Sequence, residues 1–416
     1  MKSKGEFFVD SSSYHVTRQQ FFNKVVDFWP DLYGEEYALY DIFETDRDFI
    51  KKVHQSSERI GHIFFKISKL LRKVNDEILL EMGFPEETLS FLRIPSHTAE
   101  SVISRLDLVQ SGTTFKCLEM NSDTPTFIKE VFNINELICK EFQLENPNRG
   151  MNRKLSEVVR NSINASIRQK QPNVIFTSHY DHLEDRNTAL YLQKISQFPS
   201  KYLPLNRLRI VKGEGLYDDE GQKIDVLYRQ TFPIENLICD EDEAGNPIGI
   251  WLLELVQLGC LAIINPPSSF LLQNKTVQAV IWGLHQDKHP FFTEEEHGWI
   301  NEHFLPTYLE PDSFLKAKQA YVKKPSFGRE GDTVEIYDGN GNLKAEDVLK
   351  TYQKYIPIYQ KYIELPTVPF FSEKGKQQGH MIIGSFLLNG QPGGIGCRVG
   401  NLITDNLSYF LPIGVR

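Results

Sequence analysis

Asn173-Val174-Ile175-Phe176-Thr177 opens the stretch that decides the fold. A short run of β-branched and aromatic residues reads as a strand. Residues 188–198 follow at helical spacing. Leu208-Arg209-Ile210-Val211 and Val226-Leu227-Tyr228-Arg229 read as strands, residues 248–258 as a helix, and Leu261-Ala262-Ile263-Ile264 as a strand. This alternation predicts an α/β layer with a largely parallel sheet.

Working outward, residues 268–285 and 293–305 read as helices. Beyond Tyr321 the chain turns β-rich: Val334-Glu335-Ile336-Tyr337, a turn at Gly339-Asn340-Gly341, then residues 382–388 with Asn389-Gly390 as a hairpin turn. On the N-terminal side, apolar residues from Phe49 to Ile78 recur at helical spacing, so one or two long helices cover residues 46–80 and stop at Gly83. Ser104-Arg105-Leu106-Asp107-Leu108-Val109 and Phe115-Lys116-Cys117-Leu118-Glu119-Met120-Asn121 flank Ser111-Gly112 and read as a hairpin. Asp123 or Thr124 is then expected to cap a helix over 125–142. The fold class is therefore α/β followed by an antiparallel α+β region.

The 416 residues suit two or three subdomains. A composition 40% hydrophobic and 24% charged excludes disorder of the whole chain, and a net charge of −9 argues against a nucleic-acid partner. No signal-peptide run follows Met1-Lys2-Ser3-Lys4-Gly5-Glu6, and no apolar stretch reaches the ~18 residues of a membrane span, so no membrane partner is expected. Five cysteines without a C-x-x-C pair signal neither zinc nor a disulfide framework, which fits a cytoplasmic location.

Three constellations could carry chemistry. In Arg105-x-Asp107 and Glu119-x-Asn121, residues two apart share a strand face. If the strands pair, one face holds two carboxylates, an amide oxygen and a guanidinium, hard donors that suit Mg²⁺. The same pattern also occurs on an exposed polar strand face with a salt bridge. Lys324-Pro325-Ser326-Phe327-Gly328-Arg329-Glu330-Gly331 can bring backbone N–H groups and two cations to a phosphate, or form a tight turn with a surface ion pair. Gly393-Gly394-Ile395-Gly396-Cys397-Arg398 suggests close backbone packing, with Arg398 either at a phosphoryl group or in an ordinary ion pair. His179 and His182 lack a third ligand and read as exposed loop histidines. The acidic run 240–243 reads as a solvated loop.

Together these segments resemble the glutathionylspermidine synthase family of ATP-grasp ligases. The hairpin region 104–126 resembles its metal-binding hairpin, 265–282 its helix with an ATP-contacting lysine, and 321–334 its K-P-x-F-G-R-E-G loop. Ile358-Tyr359-Gln360 with Leu365-Pro366 resembles its adenine-side hinge, and 384–412 its C-terminal signature. The blocks run in family order from about residue 90 to the C-terminus.

The resemblance implies an ATP-grasp fold with a preceding α/β subdomain: an N-terminal arm over 1–45 and one unit over 46–416. Within that unit, 150–265 form the pre-ATP-grasp subdomain and 90–145 plus 266–416 the ATP-grasp part. It implies ATP and Mg²⁺ as cofactors, with Asp107, Glu119 and Asn121 as metal ligands. Lys275, Lys324, Gly328, Gly331 and Gln360 are implied for ATP, and Arg105 and Arg398 for the transferred phosphoryl group. Thr124, Thr126 and Arg329 are implied for a glutathione-like carboxylate, and Glu184 and Asp185 for a spermidine-like amine. The implied reaction joins carboxylate and amine through an acyl phosphate. Alternatives are the same chemistry on another peptide or amino acid and amine, or an ATP-binding regulator without ligation. The oligomeric state stays open, a homodimer included.

Three positions depart from the family pattern. Val399 stands where G-I-G-I-R-E has Glu, and Tyr409 and Ile413 stand where S-R-F-x-P-H has Arg and His. Nothing before residue 90 is long enough for the amidase domain of bifunctional members, so a stand-alone synthetase is expected.

Overall fold

The computed structural model describes residues 11–95, 99–329, 331–405 and 407–416. The residues 1–6 discussed above, with Glu330 and Asn406, lie outside the described residues.

Helix α1 (Ser11–Phe22) buries Tyr14, Arg18 and Phe22 at fourth-residue spacing. Helix α2 (Arg47–Leu71) starts at Asp46, whose carboxylate accepts the Phe49 N–H at 2.8 Å. Its stripe of Ile50, Val53, Ile60, Ile63, Phe64, Ile67 and Leu71 enters the main core. A short helix, Asp76–Glu81, follows, so the expectation for 46–80 holds.

Strands β1 (Ile103–Ser111) and β2 (Thr114–Asn121) form the expected antiparallel hairpin. Arg105 lies opposite Asn121, and Asp107 opposite Glu119. The register shifts between Asp107 and Leu108, where a bulge inserts one residue into β2. Cys117 and Met120 therefore both face the core with Leu106 and Leu108, while Leu118 and Glu119 both face a cleft.

The expected helix over 125–142 begins later, at Ile128, with Phe127 at φ 76°, a π-helical turn at Glu130–Ile134, and Asn135–Glu141 in α conformation. Asp123 does not cap it. Its carboxylate is taken by Arg229 and by the Ile234 N–H.

Helix α3 (Met151–Ser166) and helix α4 (Leu183–Ser196) pack beside a four-stranded sheet of β3 (Val174–Ser178), β4 (Lys201–Pro204), β5 (Val226–Gln230) and β6 (Ala262–Ile264). The order is β6-β5-β3-β4 and every pairing is parallel, as the alternation predicts. One strand is corrected. Arg209–Val211 pairs antiparallel with Gly215–Tyr217 in a separate ribbon, and β4 takes the sheet edge instead. Residues 208–211 and 201–204 are equally short apolar runs, so local pattern does not choose between them.

The expected helix over 268–285 is broken. Helix α5 (Phe270–Gln273) ends at Asn274, and α6 (Thr276–Gln286) restarts because the Asn274 side chain accepts the Thr276 N–H at 2.8 Å. The break places Lys275 at the junction. Helix α7 (Glu294–His303) opens with a capping box between Thr293 and Glu296.

The C-terminal half builds two antiparallel sheets. The first contains β7 (Thr307–Tyr308), β8 (Tyr321–Pro325), β9 (Glu335–Tyr337), β10 (Leu343–Glu346) and β11 (Pro357–Lys361), in the order β7-β11-β8-β9-β10. The second joins the hairpin to β12 (Thr367–Ser372), β13 (Gly375–Leu388), β14 (Gln391–Gly400) and β15 (Tyr409–Leu411), in the order β15-β14-β13-β1-β2 with β12 on the free stretch of β13. Asn389 and Gly390 turn β13 into β14 with φ of 49° and 76°, the positive values a two-residue hairpin turn needs. The glycines of β14 allow the close packing expected of them: a Cβ at Gly394 or Gly396 would lie 2.6 or 2.7 Å from Val131. Among the described residues, no helix is long and apolar enough to cross a membrane.

Candidate active site

The cleft lies between the two antiparallel sheets. It encloses about 1240 Å³, solvent at its mouth included.

One wall is the hairpin. The Asp107 carboxylate accepts Arg105 Nε at 2.7 Å and Nη2 at 3.2 Å, and Arg398 Nη2 from β14 at 2.7 Å. Arg105 Nη1 also donates to the Thr126 carbonyl at 3.0 Å. Gly384 of β13 lies opposite both Asp107 and Gly396, so Arg398 and Asp107 approach past a residue without a side chain. A Cβ there would stand 3.2 Å from Arg105 Cδ. Arg398 Nε is buried without a hydrogen-bond partner.

Glu119 faces four cations. Burial pushes its carboxyl pKa up, but Lys275, Lys324, Arg105 and Arg398 outweigh burial and hold it at about 2. Lys275 Nζ lies 3.3 Å from its Oε2 and donates to the Gly328 carbonyl at 2.9 Å. Lys324 Nζ donates to Gln360 Oε1 at 2.8 Å, and burial pulls the Lys324 pKa down to about 8 against the opposing pull of Glu119. Gln360 in turn donates to Gln278 Oε1 at 3.2 Å. Leu118 and Ile382 from one sheet and Val322 and Ile336 from the other add apolar surface to the cleft lining.

Asp107, Glu119 and Asn121 share one strand face in this cleft. Two carboxylates, one of them firmly ionised, and an amide oxygen are hard donors, and Mg²⁺ is usually held by one or two carboxylates plus substrate phosphates. The donor set therefore fits that ion. Among the described residues, no group of three or more His, Cys, Asp or Glu side chains is placed to hold a metal ion.

Thr124, Thr126 and Arg329 line the same cleft, as do Gly328 and Gly331. The Thr124 hydroxyl is buried with no partner. Gly331 has φ 74°, and a Cβ on it would meet the Thr404 carbonyl oxygen at 2.5 Å, so glycine is needed where the loop meets residues 402–404.

Glu184 and Asp185 are not among the residues lining the cleft. Both lie in the first turn of α4. Asp185 is buried, its carboxylate 3.0 Å from His182 Nδ1, and this contact raises the His182 pKa. His179 and His182 are half-buried rather than exposed, packing beside Phe232. The charge of Glu184 adds to those of Asp107 and Glu119 around Arg105, against the effect of burial.

Several site residues escape the sequence reading: Gly384, Gln278, Gln273 and Asn265. Gln278 interrupts an apolar helical run, and Gln273 ends one. Such a lone amide is a usable signal, since a buried amide needs partners.

Residues 13–416 match the family described as glutathionylspermidine synthase pre-ATP-grasp. A Haemophilus influenzae protein with the provisional name acid–amine ligase is 30% identical over 154 residues, which are 36% of this chain and 34% of that protein. Trypanothione synthetase of Crithidia fasciculata is 24% identical over 404 residues, 92% of this chain and 57% of that protein. The chain thus covers about a third and somewhat over half of these two relatives. A solved structure from Methylobacillus flagellatus KT, provisionally named gamma-glutamylcysteine synthetase, aligns over 88% of this chain and 86% of its own, with 8% identity and a TM-score of 0.45, too loose a likeness to carry a conclusion.

Proposed function

Because the chain belongs to the glutathionylspermidine synthase family, we propose that it is an ADP-forming carboxylate–amine ligase using ATP and Mg²⁺. The observation that carries this reading is one cleft in which Arg105, Arg398, Lys275 and Lys324 surround Asp107 and Glu119 between two antiparallel sheets.

A carboxylate is a poor acyl donor. In the proposed reaction a substrate carboxylate oxygen attacks the γ-phosphorus of ATP, the bond to the β-phosphate oxygen breaks, and ADP leaves. An amine then attacks the acyl carbon, phosphate departs, and the amine loses a proton. Such phosphoryl transfer depends on alignment and charge neutralisation more than on covalent help. Mg²⁺ held by Asp107, Glu119 and Asn121 would neutralise phosphate charge. Lys275 and Lys324 face the phosphates, and Gly328 and Gly331 let the loop backbone approach them. Gln360 and the apolar surface of the cleft receive the base. Arg105 and Arg398 flank the transferred group, fixed in direction by Asp107. Thr124, Thr126 and Arg329 receive the carboxylate substrate; the unpartnered Thr124 hydroxyl supports this. We assign the amine-facing charge to Glu184, with Asp185 holding His182.

Glutathione and spermidine are the first substrates to test. The assay is ADP release over a panel of carboxylates and amines. No stimulation by any pair would end the ligase reading. A second reading keeps the chemistry and changes the substrates. Val399 and Ile413 are fully buried and Tyr409 packs on Phe370, so these positions present apolar packing where the family pattern has charge. Product mass spectrometry with ATP and cell extract separates the two.

A further inference from the structure

We propose that Arg229 and Gln230, at the carboxyl end of β5, are positioning residues that set the segment 122–126 for the carboxylate substrate; the substrate half of this inference rests on the ligase reading above. Neither residue lines the cleft, and both are buried. In α/β sheets, ligand-handling groups gather beyond the carboxyl ends of the strands. Here the end of β5 grips a loop that belongs to the other sheet.

Arg229 Nη2 donates to Asp123 Oδ1 at 2.5 Å, and the second Asp123 oxygen accepts the Ile234 N–H at 2.9 Å. The other arm of the guanidinium, Nη1, donates to Thr231 Oγ1 and the Phe232 carbonyl, both at 3.0 Å. Gln230 Nε2 donates to the Thr124 carbonyl at 3.4 Å and the Pro125 carbonyl at 3.3 Å, while Tyr228 holds its Oε1 at 2.8 Å. The segment is met from other sides as well. Gln273 accepts the Ser122 N–H at 2.9 Å, Asn265 donates to the Asp123 carbonyl at 2.8 Å, and Arg105 donates to the Thr126 carbonyl.

A loop without helix or strand is thus held by side chains at each carbonyl from Ser122 to Thr126 and at the N–H groups of Ser122 and Asp123. Hydroxyls that bind a ligand need such support, because small displacements cost much of the interaction. Arg229 is suited to the task because its planar fork bonds Asp123 and the 231–232 turn at once, which an ammonium cannot do in the same geometry. The parallel sheet thereby sets the Thr124 and Thr126 positions without touching substrate.

Removing Arg229 alone would leave Asp123 buried and unpaired, so the test uses D123N/R229M, which removes both charges, and Q230L. Substrates are ATP, glutathione and spermidine. The expected result is a KM for glutathione raised about 10-fold, the size of one or two lost hydrogen bonds, with KM for ATP and kcat within about 3-fold. R229K, which keeps a charge beside Asp123, should recover part of the loss. Hydrogen exchange over 122–127 should quicken in D123N/R229M and in Q230L while exchange in β3 stays as in the wild type. Unchanged exchange over 122–127 overturns the positioning inference whatever the kinetics. So does a fall in turnover that tracks the folded fraction and leaves the KM for glutathione unchanged. A wild-type chain inert toward every carboxylate and amine overturns the ligase reading instead, and the exchange measurement then decides the positioning of the loop by itself.

Discussion

Arg398 and Asp107, 291 residues apart in sequence, meet at 2.7 Å through Nη2 and Oδ2. The same carboxylate holds Arg105, so two guanidiniums are aimed by one anion. A lysine at 398 keeps the charge and loses the fork. R398K is expected to lower kcat about 10²–10³-fold with the KM for ATP little changed, the size seen when one preorganised donor to a transition state is lost. Steady-state kinetics at saturating substrates measures it, and an unchanged kcat would remove Arg398 from the phosphoryl-transfer step.

Glu119 is the anionic centre of four cations. Glu119→Gln keeps the shape and removes the charge. Mg²⁺-dependent ADP release should fall at least about 100-fold, in line with loss of a group whose charge is used only in the reacting complex. Full activity of the variant would take Glu119 out of the metal site.

Lys324 should be an unusual amine, as should Lys129, which burial pulls down to the same value outside the cleft. With the Lys324 pKa pulled down to about 8 by burial, a larger fraction is neutral at pH 8 than for a lysine at the ordinary 10.5. An acylating reagent at pH 8 should modify it early, and ATP should protect it. Peptide mass spectrometry reads both; modification that ATP does not slow would separate Lys324 from the nucleotide.

Gly384→Ala places a methyl 3.1 Å from Phe127 and 3.2 Å from the stem of Arg105. Crowding of that kind costs about 1–3 kcal/mol in a packed site. The variant should fold, with a lower melting temperature and a kcat reduced more than the folded fraction explains, because Arg105 must move. Circular dichroism together with turnover tests it.

Glu235 is buried, with both oxygens lacking a hydrogen-bond partner, and burial pushes its pKa from 4.5 up to about 7. Between those values the folded chain keeps a proton that the unfolded chain releases. Stability is therefore fully present below about 4.5 and falls as pH rises through about 7. E235Q should melt higher than the wild type at pH 8, by the equivalent of about 1–3 kcal/mol, with the gap closing toward pH 5. Calorimetry at the two pH values checks the sign.

The sequence by itself determined the element types and the chemical inventory. Alternating apolar runs fixed the parallel sheet, the spacing in 46–80 fixed α2, and Asn389-Gly390 fixed a hairpin turn, because each follows from interactions between near neighbours. Arg105, Asp107, Glu119 and Asn121 were legible as one face for the same reason. The tertiary structure decided what local pattern leaves undetermined. It chose β4 over residues 209–211 as the sheet edge, turned Asp123 from a cap into the partner of Arg229, and broke the helix at Asn274 so that Lys275 reaches Glu119. It also bulged β2 so that Leu118 and Glu119 face the cleft together, and kept Asp185 out of that cleft against His182. The sheet edge, the Asp123–Arg229 pair and the approach of Lys275 to Glu119 each join residues far apart in the chain, since a buried charge must find its partner wherever the fold provides one; the Asn274–Thr276 and His182–Asp185 contacts are local, and the fold decides only where they point.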